Sequence, residues 1–184
     1  MNSKIASAAR LSLTIFAFVA GGTGIARAEL PSTKAPVQEG YEASAQIGSG
    51  FVDTYGLGLG ARFGFTSSNG IYVGGDATYY FGNTVASATG HLSAHTTFVG
   101  GEGGYEFFPD PRWEVRPYVF FGPAFIHTVQ AVPFASESVT RFAVQPGLLT
   151  AYHFGGAFVS AEAKVHVTPN PTAFTVFGGT GLGF

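Results

Sequence analysis

Five histidines, His91, His95, His127, His153 and His166, are the most versatile chemical groups in this sequence. His91 and His95 lie four residues apart, but the chain has no cysteine and no nearby carboxylate pattern completes a closed ligand set, so no metal is expected. The clusters GGEGG (100–104) and GGTGLG (178–183) look like phosphate loops, yet neither opens a helix, and without a helix N-terminus the cradle is missing. The stretch FIHTVQ puts His127 beside Thr128 with no serine alongside. A nucleophile needs a base within hydrogen-bond reach, and no such pair is visible. No catalytic residue, enzyme activity or cofactor is therefore expected. What remains is a thin scatter of polar side chains: Glu42, Gln46, Arg62, Asp76, Glu102, Glu106, Arg116, Arg141, Gln145, Glu162 and Lys164. They carry both signs, and charge in a tight interior is costly unless acids pair with bases. Glu106 and Arg116 face each other across PDPRWE (109–114), and Glu162 and Lys164 share a face two residues apart. The expectation is a charged network that holds an interior together.

The elements that position these residues follow from hydrophobic period. In YGLGLGARFGF, Tyr55, Leu57, Leu59, Ala61, Phe63 and Phe65 alternate with Gly56, Gly58, Gly60, Arg62 and Gly64. AFVSAEAKVHV repeats the pattern, with Phe158, Ser160, Glu162, Lys164 and His166 opposite the aliphatic set. Period two marks a strand, and 27 glycines argue against helices. Turn signals divide the chain into eight strands, near 41–51, 55–66, 71–81, 95–107, 115–127, 141–153, 157–168 and 173–184. SSNG (67–70), PDPRWE and Gly155–Gly156 are compact connections, whereas Gly82–Ala94 and Val129–Thr140 are long. An antiparallel meander whose two ends face different compartments has that asymmetry.

Upstream, Lys4 and Arg10 precede the uncharged, largely apolar stretch Leu11–Gly22 and the small-x-small site ARA (26–28). Residues 1–28 read as a secretory signal peptide, and the apolar part is shorter than the roughly 18–20 residues a membrane helix needs. Residues 29–40, with Pro31, Lys34 and Pro36, form a short lead, and residues 41–184 form the single domain. Removing residues 1–28 takes away Lys4, Arg10 and Arg27 and no acid, which excludes a nucleic-acid-binding charge balance.

Charged residues are 11% of the chain, against about 25% in an ordinary soluble domain. The weaker strand faces, mostly Gly, Ser, Thr and Ala, solvate an exterior poorly but suit a narrow lumen. The apolar faces then meet lipid, and strands of about 9–11 residues cross it at a tilt. Aromatics near the strand ends suit the two interfacial girdles of such a barrel: Tyr41, Phe51, Tyr55, Phe65, Tyr79, Tyr80, Phe81, Tyr105, Phe107, Phe108, Phe125, Tyr152, Phe154, Phe174 and Phe184. The fold class is all-β: an eight-stranded antiparallel up-and-down transmembrane β-barrel. Pro117, Pro123 and Pro146 fall inside strands and are expected at bulges or strand ends.

Strand number, alternation and the closing GLGF (181–184) resemble the small eight-stranded outer-membrane barrels of the OmpA and OmpX kind, over Tyr41 to Phe184. The resemblance implies residence in a Gram-negative outer membrane, with lipid, the barrel assembly machinery and periplasmic chaperones as partners. It also implies that the last strand is an assembly signal, which Phe174, Leu182 and Phe184 match. Some small outer-membrane barrels act on lipid A, and the deacylase among them uses a His and a Ser near the lipid-facing rim. The FIHTVQ stretch departs from that arrangement. The expected role is structural or surface-interacting through the long loops. The alternatives are a narrow pore or carrier of small hydrophobic solutes, and a lipid A-modifying enzyme.

Overall fold

The computed structural model describes residues 39–51, 55–87, 90–130, 135–167 and 173–184. The expected signal peptide, most of the expected lead, and residues 52–54, 88–89, 131–134 and 168–172 lie outside them. Among the described residues ten strands form one antiparallel sheet: β1 (Gly40–Gly50), β2 (Leu57–Thr66), β3 (Ile71–Tyr80), β4 (Thr84–Ser87), β5 (Gly90–Tyr105), β6 (Phe107–Asp110), β7 (Trp113–Gln130), β8 (Ala135–Phe154), β9 (Ala157–His166) and β10 (Ala173–Gly183). Eight of them close a ring in the order β1-β2-β3-β5-β7-β8-β9-β10, with β10 returning to β1. The two short strands β4 and β6 are flaps on β5 and β7. This is the up-and-down barrel the alternation implies.

Closure is direct. Tyr41 and Phe184 exchange both backbone hydrogen bonds at 2.8 Å, and their rings stack at 6.4 Å. The compact connections work as expected: Gly70 and Gly155 adopt φ of 85° and 71°, the left-handed values that a tight hairpin needs and that glycine takes without strain.

Burial follows period two with the apolar face outward. Leu57, Leu59, Phe63, Val73, Val99, Phe121, Leu148 and Val159 are exposed, while Arg62, Asp76, Glu102, Arg116, Glu162 and Lys164 are buried. Outward aromatics form two bands. Tyr41, Phe63, Trp113, Tyr152 and Phe184 mark the turn end, and Phe51, Phe174, Tyr79 and Phe81 mark the other. Tyr55 and Tyr80, expected in those girdles, are instead buried inside, at 3% and 0% exposure. The alternation starts only at Leu57. Tyr55 lies in the β1–β2 connection, where Gly50 N–H donates to its carbonyl at 2.7 Å, so it is out of phase with the leucines that follow.

The largest departure concerns the two long loops, which are mostly strand. β5, β7 and β8 run 16, 18 and 20 residues, against 10 or 11 for β1, β2, β3, β9 and β10. Pairing continues from Leu92↔Gln130 to Gln130↔Ala135, so a β-sheet projects beyond the barrel at the end opposite the compact turns. Serine, threonine and valine alternate there as readily as they form a loop, which is why composition alone suggested one.

The prolines are accommodated without bulges in β7–β8, whose register runs unshifted past all three. Val167 N–H donates to the Val144 carbonyl at 2.9 Å. Even-numbered residues of β8 therefore turn their backbone groups toward β9, and odd-numbered residues of β7 turn theirs toward β5. Each proline aims its missing N–H away from the β7–β8 ladder, and the neighbouring ladders lapse at those points. The β8–β9 pairing stops at Gly147, beside Pro146, and resumes as the single bridge Val144↔Val167. The β5–β7 pairing skips between Phe98↔Ala124 and Gly101↔Phe121, opposite Pro123, and ends at Gly104↔Tyr118, one residue short of Pro117.

Candidate functional site

The lumen is filled in three tiers. At the turn end, Arg116 on β7 reaches across to β1 and makes a two-pronged bond to Glu42, with both N–O distances 2.5 Å. Its guanidinium also lies 2.6 Å from Glu106 and 2.8 Å from Glu114, and 3.9 Å above the Tyr72 ring. Thr66 donates to Glu106 at 2.5 Å, and His153 lies 2.8 Å from Glu114. The carboxylate oxygens of Glu42, Glu106 and Glu114 come within 4.8 Å of one another, a spacing that suits a cation, and the Arg116 guanidinium already occupies that place. A cavity of about 270 Å³ opens at this end, lined among others by Glu42, Thr66, Glu106, Glu114, His153 and Phe158, and it meets the Arg116 cluster.

The middle tier centres on Arg62. It pairs with Glu102 at 2.5 Å and Glu162 at 2.9 Å, with Asp76 at 3.9 Å. Lys164 joins Glu162 at 3.0 Å and Asp76 at 3.8 Å. Gln46 and Thr78 each donate to Asp76 at 2.7 Å, Tyr72 donates to Glu102 at 2.6 Å, and the Tyr118 hydroxyl donates to Glu162. Glycine makes this packing possible. A Cβ on Gly147 would stand 2.5 Å from the Tyr118 ring, and one on Gly74 would stand 2.8 Å from that of Tyr72. The inner-face glycines are the wall against which the phenols lie.

The third tier, toward the projecting sheet, is aromatic. His166, with no exposure, stacks on Tyr55 at 4.8 Å and contacts Phe98 at 5.0 Å. Its Nε2 lies 3.2 Å from the Tyr80 hydroxyl and 3.0 Å from that of Thr175. Phe177 packs on Tyr80 at 5.8 Å.

The structure thus gathers Glu42, Arg62, Asp76, Glu102, Glu106, Arg116, Glu162 and Lys164 in the interior, with Gln46 beside them and Gln145 buried as well. Arg141 is placed elsewhere. It is exposed on β8, opposite Ala124, and joins no ion pair among the described residues. Its parity is that of Ala143 and Gln145, but it lies past the last β8–β9 pairing, where the inner face of the strand no longer faces a lumen. Phe174, Leu182 and Phe184 point outward, at 36%, 59% and 71% exposure.

Sequence reasoning missed Glu114, Tyr72 and Tyr118. By turn signals alone Glu114 falls in the PDPRWE connection. Its even spacing from Arg116 is the signal that extends β7 back by two residues. It also missed Ser138, whose hydroxyl lies 2.8 Å from His127 Nδ1 on the outer face of the projecting sheet. The two residues are brought together by the β7–β8 register, across eleven residues of sequence, so the absence of serine beside FIHTVQ did not exclude a Ser–His pair. Among the described residues no carboxylate holds the other nitrogen of His127.

Comparison with known proteins agrees with this architecture. Solved structures of similar fold include the N-terminal β-barrel domain of OprF from Pseudomonas aeruginosa, with TM-score 0.56 and 17% identity over 80% of this chain and 100% of that one. Ail, the attachment invasion locus protein of Yersinia pestis, solved with the heparin analogue sucrose octasulfate, gives 0.57 and 12% over 79% and 97%. Neisserial surface protein A, NspA, gives 0.53 and 14% over 79% and 97%. No curated protein matches the sequence. The model of the autotransporter beta-domain matches residues 22–122, more than half of the chain. That domain is likewise an outer-membrane barrel, and on this match the chain belongs to the autotransporter beta-domain family.

Proposed function

We propose that this chain is a non-enzymatic barrel of the Gram-negative outer membrane whose role is surface interaction, carried by the sheet that β5, β7 and β8 extend beyond the barrel. The observation behind this is the contrast in strand length: five ring strands have 10 or 11 residues, enough to cross lipid, and these three have 16 to 20. The surplus stands at the end away from the compact turns, where extracellular loops belong. The interior supports the same reading, since eight strands leave room only for side chains and the three tiers use that room for charge pairs and stacked rings. A pore or solute carrier needs a path, and ion-paired Arg62 and Arg116 block it.

Ail binds a sulfated sugar analogue, but a polyanion is a poor match here. Arg141 is the single Lys or Arg among the described residues of the projecting sheet, and Glu137 lies on the same strand. Phe174, Leu182 and Phe184 fit the role of an assembly signal in that all three face outward and Phe184 pairs with β1.

The test replaces residues 124–141, the part of β7 and β8 that projects beyond the barrel, with a two-residue turn and measures attachment of expressing cells to one another and to protein-coated surfaces. A truncated protein that keeps its heat-modifiable mobility but loses attachment is the expected result. Unchanged attachment would overturn the reading. A second reading, hydrolysis of a lipid ester, draws on the Ser138–His127 bond. It calls for labelling by a serine-reactive fluorophosphonate that disappears in Ser138→Ala and for a mass loss in lipid A.

A further inference from the structure

The upper part of β8 is an edge strand. From Ala135 to Ala143 it pairs with β7 on one side, while among the described residues no strand pairs with the other. Eight of these nine residues are exposed or half-buried, and Ala143 is buried. By the alternation set at Val144, the backbone groups of Ser136, Ser138, Thr140 and Phe142 point out along that free edge. An open edge of this kind is a template for another strand.

The sequence along the edge is self-complementary. If two copies of ASESVTRFA (135–143) pair antiparallel about a two-fold through Val139, Ser138 meets Thr140 and Ser136 meets Phe142 as hydrogen-bonded pairs. Glu137 then meets Arg141 twice, at the closer non-hydrogen-bonded positions. Shifting the register by two residues either way leaves both charges opposite alanine or valine. Shifting by four sets Glu137 against itself in one direction and Arg141 against itself in the other. Neither residue has an ion-pair partner within its own chain among the described residues.

We propose that this edge binds a second copy of the chain through that register. The inference rests on the projecting sheet being the interaction surface. Because β8 leaves both barrels at the same end, antiparallel pairing points the two barrels in opposite directions. Two copies in one membrane cannot do that, so the pair bridges facing membranes.

The experiment exploits the absence of cysteine from the chain. Full-length protein carrying Val139→Cys or Ser136→Cys is reconstituted in phosphatidylcholine liposomes, its folding checked by heat-modifiable mobility, and mild oxidant is added. Val139→Cys should give disulfide dimers together with liposome clustering. Its two Cα atoms would lie about 4.5 Å apart, within disulfide range. Ser136→Cys should not, since six residues of offset separate the thiols by roughly 20 Å. Without oxidant, Glu137→Arg and Arg141→Glu should each abolish clustering, and the two together should restore it. Equal trapping at both cysteines, dimers without clustering, or a double variant that fails to recover would overturn the pairing. Clustering that is lost when residues 124–141 are replaced by a two-residue turn, without trapping at Val139, would overturn the pairing alone. Clustering that survives that replacement would overturn the surface reading as well.

Discussion

Arg116 and Arg141 stand on neighbouring strands of one barrel, yet one guanidinium touches three carboxylates and a tyrosine ring and the other touches none among the described residues. The lumen and the projecting sheet differ in the same way throughout. Inside, six carboxylates surround Arg62, Arg116 and Lys164, and hydroxyls of Thr66, Tyr72, Thr78 and Tyr118 supply further donors. Outside, Glu137 and Arg141 sit on an open edge. A buried charge without a partner is costly, and the lumen charges are paired with one another. A solvated charge without a partner costs little and remains free to choose one.

Removing a lumen cation should have the largest effect. Arg116→Ala leaves Glu42, Glu106 and Glu114 facing one another and is expected to cost about 3–5 kcal/mol, read as a lowered urea midpoint of lipid-refolded protein. Arg116→Lys should recover only part of this, because an ammonium cannot grip Glu42 with two prongs. Next comes the outer face. Phe121→Arg, on a residue 49% exposed, should cost about 2–4 kcal/mol near the bilayer midplane. In a water-soluble barrel the same exposed position would tolerate the change to within about 0.5 kcal/mol, so this variant decides which way the barrel faces. Gly147→Ala should displace Tyr118 from its wall and from Glu162, at about 1–3 kcal/mol for overpacking. Smallest is Arg141→Ala, expected to leave the midpoint within about 0.5 kcal/mol. A large loss there would erase the distinction between the two regions.

The barrel was legible because lipid reverses the usual burial code while keeping its period. Leu57, Leu59 and Phe63 alternate with glycine and Arg62 whichever side faces lipid, and the low charge content then chose the side. Most of the lumen network followed from the same parity. What failed to follow has physical reasons. Arg141 has the right parity, but parity does not say where along a strand the lumen ends. Ser138 and His127 meet only through the β7–β8 register, which was hidden while residues 129–140 read as a loop. Pro123 is tolerated because its neighbour's ladder is interrupted opposite it, an accommodation that depends on which way the backbone groups of β7 turn and is invisible to composition.

On the proposed function, the interior holds the barrel together and offers no path through it. Single-channel recording of the folded full-length chain in planar bilayers tests it most directly. A barrel plugged by its ion pairs gives no conductance steps above the bare membrane. Stable open steps, altered in size or ion preference when Arg62 or Arg116 is replaced, would contradict it and move the function from the projecting sheet to the lumen.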